Sequence, residues 1–277
     1  MKYYKRIFLL GFILFLNVCF LNFNAFAKQS LMMATTTSTD NTGLLDYLIP
    51  EFTKDTGIEL RWTAVGTGKA LRLGQNCDVD MLMVHAPSAE KEYIDQGYGF
   101  NRREIMYNDF VLIGPGNDPA GIKGKTITSA LTAIKNKKAV FVSRGDNSGT
   151  NRKEILLWKK TGLQISDKAP SYVQTGQGML ATINIATERN GYTLTDRGTY
   201  IVYQANMKKN SGLKILVQGD TVLMNQYSVI TVHPWRCKNL KTSLAKKFSD
   251  WITQPKAQKL IKNFKLLGKQ LFTPNAK

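Results

Sequence analysis

Val140 to Trp158, "VFVSRGDNSGTNRKEILLW", begins as an apolar strand and ends as a helix. Between the two lies a loop with one arginine, two glycines and several hydroxyls. A polar loop of this kind after a buried strand belongs to an open α/β sheet. In such sheets ligands bind beyond the carboxyl ends of the strands, where helices begin. Two earlier segments share the plan. Ala34 to Ser38, "ATTTS", leaves an apolar strand and enters a helix beginning near Asn41, and Ala64 to Gly68, "AVGTG", does the same before Lys69. The first-turn N–H groups of each helix are free to hold an anion, and the helix dipole adds to this. Arg144 contributes a permanent charge with a planar donor fork suited to oxyanions. Taken singly, Ser and Thr before a helix are ordinary N-caps worth about 1 kcal/mol. A cap needs no arginine, so the three loops together favour a bound anion.

The rest of the chain supports an α/β reading. Leu31 to Ala34 is a strand, followed by a helical face of Leu44, Leu45, Leu48, Ile49 and Phe52, which Pro50 should kink or shorten. Residues 58–65 and 79–84 read as strands, 68–73 and 87–96 as helices. A second cycle has strands at 110–113, 213–217 and 226–232, with helices at 129–137, 154–160 and 179–188. A tail from Ser243 to Leu267 reads as amphipathic helix. Strands separated by helices imply parallel sheets. Two cycles imply two lobes, the chain crossing out near Asp109 and back near Met224.

Residues 1–27 have the pattern of a secretory signal peptide: Lys2, Lys5 and Arg6, an apolar run from Ile7 to Leu21, and Ala25-Phe26-Ala27 at the cleavage site. A lipoprotein signal acylated on Cys19 is the lesser alternative, because Val18 is bulky for the position before such a cysteine. Removing these residues takes three basic and no acidic side chains, and lowers the formal charge from +18 to +15. That surplus favours anions, although most of the lysines after Lys238 read as a solvated face. Cys77 and Cys237 remain. They could pair in an oxidising compartment or stay as two thiols, and the sequence gives no distance between them. His85 and His233 stand apart from any Cys/His cluster, so no metal cation is expected.

Other classes lack their signatures. There is no P-loop lysine, no nucleophile elbow, no paired acid and base in the loops, and no nucleic-acid motif. The expectation is a binding protein, neither an enzyme nor a nucleic-acid binder, and without a cofactor. Arg144-Gly145-Asp146 as an adhesion tripeptide is too short to carry weight, and Asp146 is expected to pair locally with Arg144. A site built from donors suits an unprotonated oxyanion such as tungstate, molybdate or sulfate. Monohydrogen phosphate would want an acceptor, for which Asp146 and Asp40 are the candidates.

Seven ordered segments carry a resemblance: "ATTTSTDNTGLL" (34–45), "AVGTGKAL" (64–71), "DVDMLMVHAPSAE" (78–90), "MYNDFVLIGPGNDPAGI" (106–122), "FVSRGDNSGT" (141–150), "TGQGM" (175–179) and "YTLTDRGTY" (192–200). With them the chain resembles the tungstate-binding components of bacterial tungstate ABC transporters, within the type II periplasmic binding proteins. The resemblance implies a two-lobed fold, each lobe a mixed sheet flanked by helices, with the oxyanion in the interlobe cleft. Lobe 1 would comprise residues 28–110 and 225–277, lobe 2 residues 111–224. It implies a periplasmic monomer that closes on tungstate and passes it to a permease driven by a cytoplasmic ATPase. Molybdate, sulfate or phosphate is the alternative cargo. The implied ligands are Thr36, Thr37, Ser38, Thr67, Arg144, Ser148, Gly149 and Thr150. Two positions depart from the family pattern. Asn151 stands where histidine usually follows Ser-Gly-Thr, and Ser171-Tyr172 where Trp-Tyr is usual. A neutral donor at 151 would alter pH dependence or the tungstate-to-molybdate preference.

Overall fold

The computed structural model describes residues 29–166, 169–207 and 212–277. The expected signal peptide and Cys19 lie outside them. The chain begins with β1 (Ser30–Thr36), α1 (Thr37–Asp40), α2 (Leu44–Thr56), β2 (Glu59–Val65), α3 (Thr67–Gln75), β3 (Met81–Val84) and α4 (Pro87–Asp95). It then enters β4 (Gly99–Pro115), followed by α5 (Ile127–Asn136), β5 (Phe141–Ser143), α6 (Gly149–Lys160), β6 (Tyr172–Gln174), α7 (Met179–Glu188), β7 (Thr193–Asp196), α8 (Arg197–Asn206) and β8 (Leu213–Val217). A long return strand, β9 (Met224–Val232), leads to α9 (Thr242–Thr253), α10 (Pro255–Asn263) and the short strands β10 (Lys265–Leu266), β11 (Lys269–Gln270) and β12 (Thr273–Pro274).

Strand β4 organises the molecule. Its first part pairs antiparallel with β9, from Gly99 opposite Val232 to Asp109 opposite Met224, and its last part pairs with β7 and β8. The other strands on the β9 side follow in the order β3, β1, β2. Strands β1, β2 and β3 are mutually parallel, whereas β9 runs antiparallel to β3 and β4. The parallel pairing expected from the strand–helix alternation holds for β1, β2 and β3, and the whole is the mixed sheet that the resemblance implied. The physical reason is that the chain leaves on one long strand and returns beside it in the opposite sense. The expected strand at 110–113 is only the far end of β4. Its earlier part carries the polar run Asn101-Arg102-Arg103-Glu104 and shows no apolar alternation.

Both faces of the sheets are covered, and neighbouring strand residues bury on opposite sides. Phe110 and Leu112 pack with α5 and Trp158, while Val111 and Ile113 pack with α7 and the Tyr200–Tyr203 face of α8. Around β1, Met33 faces Phe52 and Phe248, and Ala34 faces Ala70 and Tyr93. Pro50 does not shorten α2, which runs through it. The carbonyl freed by the missing N–H belongs to Asp46, which is exposed and can be hydrated, while the buried opposite face holds the helix. The tail also departs from expectation. Gln254 is extended before Pro255, as a pre-proline residue prefers, so one helix becomes two, and the chain then forms the β10–β11 hairpin. Cys77 and Cys237 form a disulfide, with Cα atoms 5.5 Å apart.

Candidate functional site

The three loops converge where the two ends of β4 divide the sheet. In the first, Thr36 closes β1 and caps α1, its Oγ1 accepting from the Thr39 N–H at 3.2 Å. The Thr36 hydroxyl is buried among those of Ser38 (3.1 Å) and Thr39 (2.7 Å) and the His85 Nε2 (3.0 Å). In the second, Gly66 precedes Thr67 without a side-chain cap, so the first N–H groups of α3 are left open. In the third, Gly145 and Asn147 adopt left-handed φ values of 61° and 58° on either side of Asp146. Ser148 then caps α6 through the Asn151 N–H. The expected helix at 154–160 therefore starts earlier, at Gly149.

Several predicted residues meet. A Cβ on Gly149 would lie 3.6 Å from Thr67 Oγ1 and 3.8 Å from His85 Cε1, so the start of α6 packs directly against the start of α3. Beside this seam opens a cavity of about 500 Å³. Thr37, Ser38 and Arg144 line it, together with Asn41, Thr42, the Gly178–Ala181 start of α7, Asp196 and Thr199. Thr36, Thr67, Ser148, Gly149 and Thr150 lie outside that lining, and Thr36, Thr67 and Thr150 are buried.

Arg144 is the cationic group in the lining. Its Nη2 donates to Asp146 Oδ2 at 2.5 Å, and its buried Nε has no partner among the described residues. Asp146 is committed on both oxygens, since Oδ1 accepts from the Ser148 N–H at 3.2 Å. Burial pushes its carboxyl up, but hydrogen bonds from Ser148 and the Arg144 guanidinium hold it below the ordinary value. Asp40, the other candidate acceptor, takes the Trp62 indole N–H at 2.6 Å. Asp196 caps α8, accepting from the Thr199 N–H at 2.8 Å and the Thr199 hydroxyl at 2.6 Å.

Beneath the arginine loop lies a buried network. Glu154 accepts from Ser143, from Tyr172 (2.8 Å), from the Trp158 indole (3.1 Å) and from Asn151 Nδ2 (3.3 Å). Burial raises the Glu154 pKa despite these donors. Asn151 is turned into this network. Its Oδ1 accepts from the Asn147 N–H at 2.9 Å, and its Nδ2 also reaches Ser143 at 3.1 Å. Its amide thus braces the loop from behind.

Sequence reasoning passed over His85, judged only as a metal ligand and set aside. It follows β3 and is thus a fourth strand-to-helix loop at the same sheet edge. That position was the available signal. Its Nδ1 meets Asn225 Oδ1 at 3.0 Å, and its ring stacks on Tyr227 with centroids 4.6 Å apart. Burial lowers its pKa and so disfavours the charged ring. The start of α7, at the end of "TGQGM", is a further wall of the cavity that its residue types do not mark as ligand-binding. Gly178 leaves that helix without a side-chain cap.

A mixed sheet split by one long strand, with helix starts gathered around a donor-lined cleft, defines a solute-binding protein. Consistent with this, residues 27–256 match the family model of the PBP superfamily domain. The tungstate-binding protein TupA of Campylobacter jejuni subsp. jejuni is 51% identical over 240 residues, covering 87% of this chain and 89% of that protein. Among solved structures, the tungstate-binding protein TupA from Desulfovibrio alaskensis G20 is 63% identical with a TM-score of 0.86, covering 90% of this chain and all of that one. The tungstate ABC transporter structure from Geobacter sulfurreducens is 46% identical with a TM-score of 0.75, covering 86% of this chain and all of that one. The chain belongs to the tungstate-binding protein family.

Proposed function

We propose that the protein captures tungstate in the cleft between two lobes and delivers it to an ABC importer. The orphaned Arg144 Nε carries this reading. A buried guanidinium N–H beside a donor-lined cavity calls for an acceptor, and an oxyanion supplies one. Thr37, Ser38, Thr67, Ser148, Gly149 and Thr150 are proposed as the remaining ligands, from hydroxyls and helix-start N–H groups. Thr36 belongs with them by sequence, but its buried hydroxyl suits a supporting role. The boundaries proposed for the lobes are residues 28–110 with 225–277, and residues 111–224, hinged where β4 and β9 run side by side.

Tungstate, with no proton at neutral pH, suits a site whose carboxylates are already engaged, and molybdate shares that property. Hydrogen phosphate would need an acceptor, and the oxygens of Asp146 and of the cavity-lining Asp196 already accept from Arg144, Ser148 and Thr199. Binding without turnover is the expectation, since the titratable groups around the cleft serve as caps and braces. The proposed partners are a membrane permease and its cytoplasmic ATPase, with the protein acting as a monomer in the periplasm. The disulfide supports an oxidising compartment. Calorimetric titration with tungstate, molybdate, sulfate and phosphate tests the reading. Saturable tungstate binding far tighter than phosphate binding is expected, and equal affinity for all four anions would refute it.

A further inference from the structure

His85 joins parts of the molecule that are far apart in sequence. From its Nδ1 a chain of hydrogen bonds runs to the long crossing strands. Asn225 on β9 presents Oδ1 to the ring at 3.0 Å and uses its Nδ2 to donate to Asn108 Oδ1 on β4 at 2.7 Å. With the Asn225 amide in this orientation, the Nδ1 of His85 is the donor and carries the ring proton. In a neutral ring Nε2 is then an acceptor only. Two hydroxyls face it, Thr36 at 3.0 Å and Ser38 at 3.1 Å. Thr36 is buried outside the cavity lining, while Ser38 belongs to the lining.

We propose that His85 is a positioning residue that sets which hydroxyl proton of the residue 36–38 loop faces the cleft. Its Nε2 accepts the Thr36 O–H, the Thr36 oxygen then accepts from the Thr39 N–H and hydroxyl, and Ser38 is left free to turn its proton toward the anion. This rests on the oxyanion reading above and adds a basis for selectivity. With its acceptor used internally, the loop shows the cleft donors alone and favours an anion that carries no proton. Replace the acceptor with a carbon, and the Thr36, Ser38 and Thr39 hydroxyls can reorient. They can then present a lone pair to a protonated anion as readily as a proton to tungstate. The same chain of amides ties the loop to β4 and β9, so the donor set stays in register with the strands that cross between the lobes.

The test compares wild type, His85→Phe, His85→Gln and Thr36→Val, each titrated with tungstate and with inorganic phosphate near neutral pH. Thermal melts confirm folding. His85→Phe should weaken tungstate binding about tenfold or more, the scale of one misdirected hydrogen bond to a charged ligand, and should narrow the tungstate-to-phosphate ratio. His85→Gln, which restores an acceptor, should recover most of that ratio. Thr36→Val is nearly isosteric and remains informative even if the ring variant fails to fold. It leaves Nε2 to draw the Ser38 proton instead, so tungstate binding should weaken although residue 36 does not line the cleft. Wild-type affinity and ratio in both His85→Phe and Thr36→Val would overturn the assignment, as would equal loss of the ratio in His85→Gln and His85→Phe. A wild-type protein that fails to bind tungstate would instead remove the underlying oxyanion reading.

Discussion

The two walls of the cleft are built differently. The side formed by the residue 36–38 loop, of which Thr37 and Ser38 line the cavity, is uncharged and held from behind by a histidine and two asparagine amides. The side formed by the arginine loop, of which Arg144 lines the cavity, rests on a buried glutamate that receives four side-chain donors. On the proposed function, the contrast teaches how a site could bind a doubly charged anion without gathering charge on both sides. One wall supplies the attraction, and the other supplies directional donors with no charge to repel the arginine. Each wall depends on a rigid backing, because a donor turned away from the ligand is lost to binding.

Breaking the backing of the neutral wall should have the largest effect on stability. Helix α3 presents Thr67 at its start and reaches Cys77 just past its end, where the disulfide ties it to Cys237 across 160 residues. Opening so long a loop costs up to about 5 kcal/mol in the chain-entropy account. A Cys77→Ser/Cys237→Ser double variant should therefore melt well below wild type in a thermal scan. An unchanged melting temperature would show that packing alone holds α3.

The charged wall offers the next effect. Glu154→Leu strands the Ser143, Asn151, Trp158 and Tyr172 donors and should lower stability by about 3 kcal/mol, measured by urea denaturation. Its pH dependence also has a defined sign. Burial raises the folded pKa of Glu154 above the 4.5 of a free glutamate. Stability from this group is thus fully present below that value and is lost as pH rises through the folded pKa. Glu154→Gln should flatten that part of the stability profile. An identical slope in wild type and variant above 4.5 would contradict the assignment.

Smaller effects separate direct donors from braces. Thr67→Val should weaken tungstate binding by about fivefold, the value of one hydroxyl, with little change in melting temperature. Asn151→His should have the smallest effect on selectivity. The amide faces Ser143, Glu154 and the Asn147 N–H, so the tungstate-to-molybdate ratio should hold while the loop loses some stability. A changed ratio would place residue 151 in contact with the anion after all.

Much of this was legible in the sequence because strand-to-helix loops announce themselves through hydroxyls and glycines at element boundaries. The arginine loop, the two hydroxyl loops, the strand at 213–217 and the helix at 179–188 could be read that way. The first part of β4 could not, since Asn101-Arg102-Arg103-Glu104 looks like a solvated turn until β9 is laid beside it. The antiparallel direction of β9 could not be read from the alternation of strands and helices, and only the resemblance implied a mixed sheet, because strand direction within a sheet is a property of topology. His85 was missed for a different reason. A lone histidine has no local pattern, and its partners Asn108 and Asn225 come from strands distant in sequence. The seam of Thr67 with Gly149 likewise exists only in three dimensions.

Arg144 is proposed to supply the charge that holds the oxyanion. Calorimetric titration of wild type and Arg144→Gln with tungstate, beside thermal melts of both, measures it most directly. A charge-assisted hydrogen bond contributes roughly 1.5–3 kcal/mol, so the variant should bind about tenfold to a hundredfold more weakly with its fold intact. Wild-type affinity in a folded Arg144→Gln protein would contradict the account.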